Sequence, residues 1–85
     1  MKVRFDEQAW EDHLHWQQTD LKRIKRIHDL IQAIARDPFK GIGKPEPLKG
    51  NWSGFWSRRI DREHRLVYAI CNDEIWIAQC RFHYS

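Results

Sequence analysis

The sequence predicts an α+β domain in which a short first strand and two helices precede an antiparallel sheet. Two patterns carry this prediction. Apolar residues recur at helical spacing between positions 6 and 36, and three β-rich runs, FWSRRI, RLVYAIC and IWIAQCRF, follow a loop rich in proline and glycine. With 85 residues, five of them Trp, four Phe and two Tyr, we expect residues 1–85 to form one small domain with an aromatic core.

Local signals predict where each early element begins and ends. KVRF alternates and predicts a strand, and Asp6 is the predicted N-cap of a helix that reaches about Gln18. A second helix follows the cap residues Thr19 and Asp20. It ends at Asp37, because the residue before a proline is disfavoured in helical conformation. From Pro38 to Gly54, three prolines and four glycines predict a loop without regular structure, of a length that is usually functional.

The last two strands predict a hairpin whose register can be derived. A three-residue loop at positions 72–74 gives three cross-strand pairs: Cys71 with Ile75, Val67 with Gln79, and Arg65 with Arg81. On this register Arg65, Arg81 and His83 share one face of the sheet. Cys71 and Cys80 lie about 16 Å apart, whereas a disulfide needs α-carbons within about 7 Å. We therefore expect two free cysteines, both buried.

Composition limits the function classes. The net charge is +3, and the basic excess lies in residues 40–85, which suits a polyanionic partner. No apolar run is long enough for a membrane span and no signal peptide precedes the domain, so we expect a cytoplasmic protein without a membrane partner. The five histidines and two cysteines show no metal-ligand spacing, and no phosphate-binding loop occurs, so we predict no metal and no cofactor.

The segment KPEPLK holds a single acid between two prolines. Pro45 and Pro47 restrict the backbone, so the carboxylate of Glu46 can project from a stiff loop. Metal-independent RNA cleavage requires a base for the ribose 2′-hydroxyl, a cation for the phosphorane and an acid for the leaving oxygen. Glu46, Arg65 and His83 fit these needs by residue type. The residues alone leave open a stiff turn with incidental charge.

A non-catalytic function is a second hypothesis for the residue types in the second half of the chain. Four arginines could bind the phosphates of RNA or of the ribosome while exposed tryptophans stack on bases: Arg58, Arg59, Arg65 and Arg81. In this alternative, substitution of Glu46 would leave function unchanged. We keep it beside the enzymatic interpretation.

Four segments, KPEPLK, SGFWSRRI, EHRLVYA and the ending CRFHY, together resemble the YoeB-like branch of the RelE-like messenger-RNA interferases. The resemblance extends from the N-terminus to Tyr84. It implies a RelE-like fold related to microbial ribonucleases, and cleavage of messenger RNA in the ribosomal A site. Ser85 extends past the usual terminal tyrosine, and we expect no effect from it.

The resemblance also implies site residues and partners. Glu46 corresponds to the general base, Arg65 to the phosphate-stabilising cation and His83 to the general acid. Positions that bind phosphate or orient the substrate are matched by Lys49, Arg59 and Tyr84, to which the strand register adds Arg81. Implied partners are a YefM-like antitoxin, the ribosome with its messenger RNA, operator DNA through the antitoxin only, and a second copy of the chain in a homodimer. An alternative role is co-repression of transcription with the antitoxin.

Overall fold

A computed structural model describes residues 1–84 and shows two helices packed on one face of a five-stranded sheet. Ser85 lies outside the described residues. The elements are β1 (Lys2–Phe5), α1 (Glu7–Thr19), α2 (Leu21–Arg36), β2 (Glu46–Pro47), a 3-10 helix (Gly50–Trp52), β3 (Trp56–Arg59), β4 (Arg65–Cys71) and β5 (Glu74–Gln79). The sheet order is β1-β5-β4-β3-β2. The predicted α+β class is confirmed.

Both helices begin and end close to the predicted positions. Asp6 is the N-cap of α1, and the side chain of Asp20 accepts a hydrogen bond from the N–H of Lys22 at the start of α2. Asp37 follows the last turn of α2, before Pro38. The apolar face of α2 packs into the core, where Ile27, Leu30 and Ile34 are fully buried and Ile24 and Ile31 are partly buried. No helix within residues 1–84 is long and apolar enough to cross a membrane.

The sheet contains two features that the sequence did not predict. β1 runs parallel to β5 at one edge, so the sheet is mixed rather than wholly antiparallel. At the other edge β2 pairs antiparallel with β3, placing Glu46 opposite Ser57. The prediction of an entirely irregular loop is therefore wrong at this point. Proline lacks an N–H and is tolerated on an edge strand, which needs hydrogen bonds on one side only.

The predicted three-residue loop of the last hairpin is wrong. Asn72 and Asp73 form a two-residue turn, both with positive φ (51° and 63°), and Cys71 lies opposite Glu74. A register shift beside Val67 then restores the predicted pairing of Val67 with Gln79. The two register differences cancel at that point.

Past Gln79 the ladder ends, so the predicted pair of Arg65 with Arg81 does not form. Instead the N–H of Arg65 donates to the carbonyl of Phe82 at 3.0 Å. Both cysteines are free, as predicted, although Cys71 is only partly buried. Burial, with the nearby carboxylate of Asp12, raises the pKa of the Cys80 thiol to about 12.

Candidate active site

Cross-strand pairing aligns four side chains on the sheet face that points away from the helices. Leu66 and Tyr68 of β4 point into the helix-covered core, so Val67 between them points to the opposite face. Its partners across the sheet share that face, and the resulting row runs Gln79, Val67, Ser57, Glu46. Edge strand β2 thus places the carboxylate of Glu46 at one end of the row.

Tyr84 reaches this row from the C-terminus. Its phenol donates a hydrogen bond to Glu46 Oε1 at 3.0 Å. Burial raises the pKa of the Tyr84 phenol, and the Glu46 carboxylate raises it further, while the Ser57 hydroxyl and the Arg65 cation act in the opposite direction. The structure therefore brings together Glu46, Ser57, Arg65 and Tyr84. Of these, Ser57 was not predicted, since a serine in FWSRRI carries no distinguishing signal.

His83 joins the site through Tyr84. The two rings stack with centroids 4.4 Å apart and an interplanar angle of 30°, and His83 Nδ1 lies 2.9 Å from the carbonyl oxygen of Tyr84. Both side chains remain accessible to solvent. Tyr84 consequently contacts both the predicted base, Glu46, and the predicted acid, His83.

Two arginines face each other at the ends of β3 and β4. Arg59 pairs with Arg65 in the antiparallel register, so the two side chains project from the same face. Arg65 donates from Nη1 to the carbonyl oxygens of Asp61 (3.0 Å) and His64 (3.2 Å). Within residues 1–84, neither arginine has an acidic partner in an ion pair. Like charges directly opposite each other destabilise a sheet, whereas the same pair attracts an anion.

An open groove of about 500 Å³ lies beside Glu46. Its lining includes Lys49, Asn51, Trp52 and Tyr84, which combine a cation, an amide and two aromatic rings. This volume lies in the range of small-ligand sites, and the residue types suit a nucleotide with its phosphate. Lys49, to which the resemblance assigns a substrate-binding role, therefore lines the same groove as Glu46.

Arg81 occupies a different position from the other candidate residues. Its guanidinium lies over the ring of Phe82, 4.4 Å from the centroid, and 5.9 Å from the ring of Trp16 in α1. With His83 it lines a smaller depression that Asp12 closes on the helix side. Arg81 Nε is buried without a hydrogen-bond partner among the described residues.

Arg58 is not a surface arginine, and its proposed contact with phosphates is wrong. It is fully buried on the helix side of β3, next to the exposed Arg59. Its guanidinium donates to the hydroxyl of Tyr68 and to three loop carbonyl oxygens, those of Asp37, Lys40 and Ile42, at 2.8 to 3.1 Å. Arg58 thus anchors the loop after α2 to the sheet.

Two residues of α1 hold the chain at the end of β5, and neither was predicted from the sequence. Asp12, which is 3 % exposed, accepts the N–H of Cys80 at 3.1 Å, and the indole of Trp16 donates to the carbonyl of Cys80 at 2.8 Å. Both backbone groups of Cys80 are therefore bound by side chains. Sequence offers no local signal for such contacts, because the partners are separated by more than sixty positions.

The histidines form one pair that sequence spacing did not predict. His13 of α1 and His28 of α2 approach with their Nε2 atoms 3.2 Å apart, and Trp10 stacks on the ring of His13. Burial and the neighbouring His28 lower the pKa of His13. In the part of the chain that the structure describes, no group of three or more His, Cys, Asp or Glu side chains is arranged to hold a metal ion.

Comparison with known proteins assigns the family. The sequence matches the YoeB-like toxins of bacterial type II toxin-antitoxin systems over residues 5–84. The chain belongs to this family. Toxin YoeB of Synechocystis sp. is 63 % identical over 85 residues, which cover all of this chain and 99 % of that protein. The resemblance inferred from the sequence is confirmed.

Solved structures support the same assignment. The YoeB/ParE toxin from Agrobacterium tumefaciens superposes with a TM-score of 0.96 at 48 % identity, covering 99 % of this chain and all of the other. Two structures from Staphylococcus aureus, a heterotetrameric YoeB-YefM complex and a YoeB dimer, give TM-scores of 0.92 and 0.93 at 47 % identity, each covering 99 % of this chain and 98 % of the other. The predicted fold is confirmed.

Proposed function

We propose that this toxin is a metal-independent endoribonuclease that cleaves messenger RNA in the ribosomal A site and so inhibits translation. The observation that supports it most directly is the position of Tyr84, which donates to Glu46 and stacks on His83. A candidate base and a candidate acid therefore lie on either side of one phenol. The exposed Arg59 and the half-buried Arg65 lie on the same sheet face as Glu46.

The reaction assigns each of these groups a role. Glu46 accepts the proton of the ribose 2′-hydroxyl, whose oxygen then attacks the adjacent phosphorus. Arg65, with Arg59, neutralises the charge that develops on the phosphorane oxygens. The bond from phosphorus to the 5′ oxygen breaks, and His83 donates a proton to that oxygen. The products are a 2′,3′-cyclic phosphate and a free 5′-hydroxyl.

The remaining candidates bind the substrate. Lys49 and Tyr84 line the groove beside Glu46, where they orient the nucleotide. Tyr84 also holds the Glu46 carboxylate in place before RNA binds, since its phenol donates and the carboxylate accepts. Arg81 lies against Trp16 and contributes positive charge at the rim of the site, outside the row that contains Glu46.

The family also supports proposals about partners. We propose a YefM-like antitoxin as the cognate inhibitor, because the Staphylococcus aureus relative was solved as a YoeB-YefM complex. Operator DNA would be contacted through that antitoxin. A homodimer is proposed on the same basis, from the solved YoeB dimer.

The decisive experiment maps cleavage by primer extension on a defined messenger RNA, either free or held on programmed ribosomes. Wild type is compared with Glu46→Ala and with Glu11→Gln, which changes an exposed acid of α1 and serves as the matched control. We expect A-site cuts that require both the ribosome and Glu46, with the control fully active. His83→Gln should slow cleavage by roughly 10²- to 10⁴-fold without loss of ribosome binding. Occupancy of the ribosome without cutting by wild type would favour the non-catalytic binding function instead.

A further inference from the structure

We infer that His64 is the positioning residue that fixes the C-terminal segment, and with it His83 and Tyr84, in the candidate active site, and that it acts as a neutral imidazole. The resemblance to known toxins implies a role for Arg65 in the segment EHR. The histidine before it makes a side-chain contact with the backbone of the C-terminal segment. Its effect on catalysis rests on the proposed ribonuclease function. Its effect on the conformation of the segment does not.

Phe82 is the residue on which this inference depends. It has φ +64°, in the left-handed region that is unfavourable for a residue with a Cβ. Burial of its ring does not enforce this conformation, because Phe82 is 52 % exposed. Its backbone is instead bound on both sides: the N–H donates to His64 Nδ1 at 2.7 Å, and the carbonyl accepts from the N–H of Arg65 at 3.0 Å. Two consecutive residues thus hold both polar groups of one strained residue.

His64 is rigidly placed to make this contact. It is 7 % exposed, and Trp16 packs against its ring at a centroid distance of 4.8 Å with an interplanar angle of 76°. The backbone N–H of His64 donates to Asp61 Oδ1 at 2.7 Å. The other carboxylate oxygen of Asp61 accepts from Nε of Arg23 at 2.7 Å. Packing and hydrogen bonds therefore orient the imidazole before the C-terminal segment binds to it.

The contact at Phe82 decides where the last two described residues point. The preceding anchor is at Cys80, which Asp12 and Trp16 hold. Beyond Phe82, His83 and Tyr84 are exposed or only partly buried, and the hydrogen bond of Tyr84 to Glu46 is solvent-exposed. The turn at Phe82 is thus the last buried constraint before the site. Without it, the exposed contact of Tyr84 with Glu46 would have to order the segment alone, and chain ends fray readily.

The contact also defines the protonation state. Nδ1 accepts the N–H of Phe82, so it carries the lone pair, and Nε2, 3.5 Å from Glu63 Oε1, carries the proton of the neutral ring. In the imidazolium both nitrogens are donors, and Nδ1–H would oppose the N–H of Phe82. The charged or titratable groups of this ring and segment and of their neighbours are Asp12, Arg23, Glu46, Asp61, Glu63, Arg65, Arg81, His83 and Tyr84. Acidification should therefore release the segment.

The experiment compares two substitutions of His64. Asn places an oxygen acceptor close to the position of Nδ1 but cannot be protonated, whereas Leu fills the space without an acceptor. His28→Leu, at an exposed histidine of α2, is the matched control. The chain has only two tyrosines, so ring-labelled tyrosine in NMR reports on Tyr84 and, as an internal measure of the intact core, on Tyr68.

In His64→Leu we expect the pKa of Tyr84 to fall towards its ordinary value of 10.0 while that of Tyr68 stays raised. His64→Asn and His28→Leu should keep the raised pKa of Tyr84. An unchanged pKa of Tyr84 in His64→Leu, with Tyr68 intact, would overturn the inference.

A second measurement covers the case in which His64→Leu does not fold. In a His83→Gln background, which removes the histidine stacked on Tyr84, the Tyr84 ring signals of the otherwise unchanged protein are followed from about pH 8 to about pH 5. We expect a histidine-like transition that is absent when His64 is also replaced by Asn. The same transition in both proteins would contradict the inference.

Cleavage on programmed ribosomes provides the functional measurement. We expect His64→Leu to lose about 100-fold in kcat, with KM little changed, because the acid and the phenol are displaced while the arginines remain. His64→Asn should restore most of this loss and keep activity at acidic pH where wild type declines. Equal kcat in the Leu and Asn variants would refute a positioning role. Absence of cleavage by wild type would contradict the proposed ribonuclease function and leave the NMR result to decide the role of His64.

Discussion

The phenol of Tyr84 donates a hydrogen bond to Glu46 Oε1 at 3.0 Å and so joins the C-terminal segment to an edge strand 38 positions earlier in the chain. The contact spans two elements that are weak by themselves. β2 has two residues and is held by pairing with β3 alone, and the C-terminal residues follow the end of β5. Each of these segments therefore stabilises the position of the other across the open face of the sheet.

Replacing Glu46 by Gln should lower the pKa of the Tyr84 phenol. The Glu46 carboxylate raises that pKa as an acceptor and as a negative charge, and an amide retains only a weaker acceptor. Burial, the leading cause of the shift, persists in the variant, so only the contribution of the carboxylate should be lost. An NMR titration of the two tyrosines measures this change, with Tyr68 as the internal reference. A Tyr84 pKa as high in Glu46→Gln as in wild type would show that the carboxylate does not act on the phenol.

Replacing Arg59 by Gln should separate activity from stability. The substitution relieves repulsion with Arg65 directly opposite, so the free energy of unfolding should stay constant or rise by about 0.5 kcal/mol. Cleavage should slow because the phosphorane loses a cation. Chemical denaturation and A-site cleavage are measured on the same preparation, with Arg62→Gln, in the exposed turn before β4, as control. A clear loss of stability in Arg59→Gln would contradict the assigned repulsion.

The helices could be predicted because their signals are local. Asp6 and Asp20 precede helical apolar patterns, and Pro38 ends the second one, so both helix bounds lay within a residue or two of the prediction. The site was harder to predict from the sequence. β2 forms only because β3 is available as a partner, and nothing within KPEPLK specifies a strand. The contact of Tyr84 with Glu46 depends on that strand, so only the family resemblance related the two residues before the structure did.

The alternation of side chains along a strand explains the other differences between the predicted and the observed structure. Arg58 and Arg59 are adjacent and chemically identical, yet one is fully buried and the other exposed, because successive side chains of a strand point to opposite faces. Sequence gave no independent register for β3. In the last hairpin a one-residue error in loop length was compensated by the shift beside Val67, so the pair with Gln79 was correct although the turn was not.

Replacing Arg58 by Lys should destabilise the fold by about 3 kcal/mol. Lysine keeps the charge, but a single ammonium cannot reach the hydroxyl of Tyr68 and the three loop carbonyls that the guanidinium binds. Arg59→Lys is the control, because the exposed neighbour should change stability by no more than about 0.5 kcal/mol. Urea denaturation of the two variants measures the difference. Equal midpoints would mean that the contacts of Arg58 contribute little to the native state.

Replacing Gly43 by Ala should detach the loop after α2 from β3. Gly43 has φ +87°, and a Cβ at this position would lie 2.7 Å from Leu30 Cδ2 and 3.1 Å from Arg58 Cβ. Leu30 is fully buried and cannot move away freely, so the loop must shift, which weakens the 2.7 Å hydrogen bond from the N–H of Arg59 to the Gly43 carbonyl. Backbone strain and overpacking together should cost about 2 to 3 kcal/mol.

Comparison with Gly50→Ala separates backbone strain from overpacking at Gly43. Gly50 also has a positive φ, +64°, but a Cβ there would meet no heavy atom within 4 Å. It should therefore carry the backbone strain alone, about 1 kcal/mol. Thermal or urea unfolding of both variants yields the cost of crowding as the difference between them. Equal destabilisation by the two substitutions would mean that the close approach of the loop to Leu30 and Arg58 adds no cost. The positive φ would then account for the whole effect at both positions.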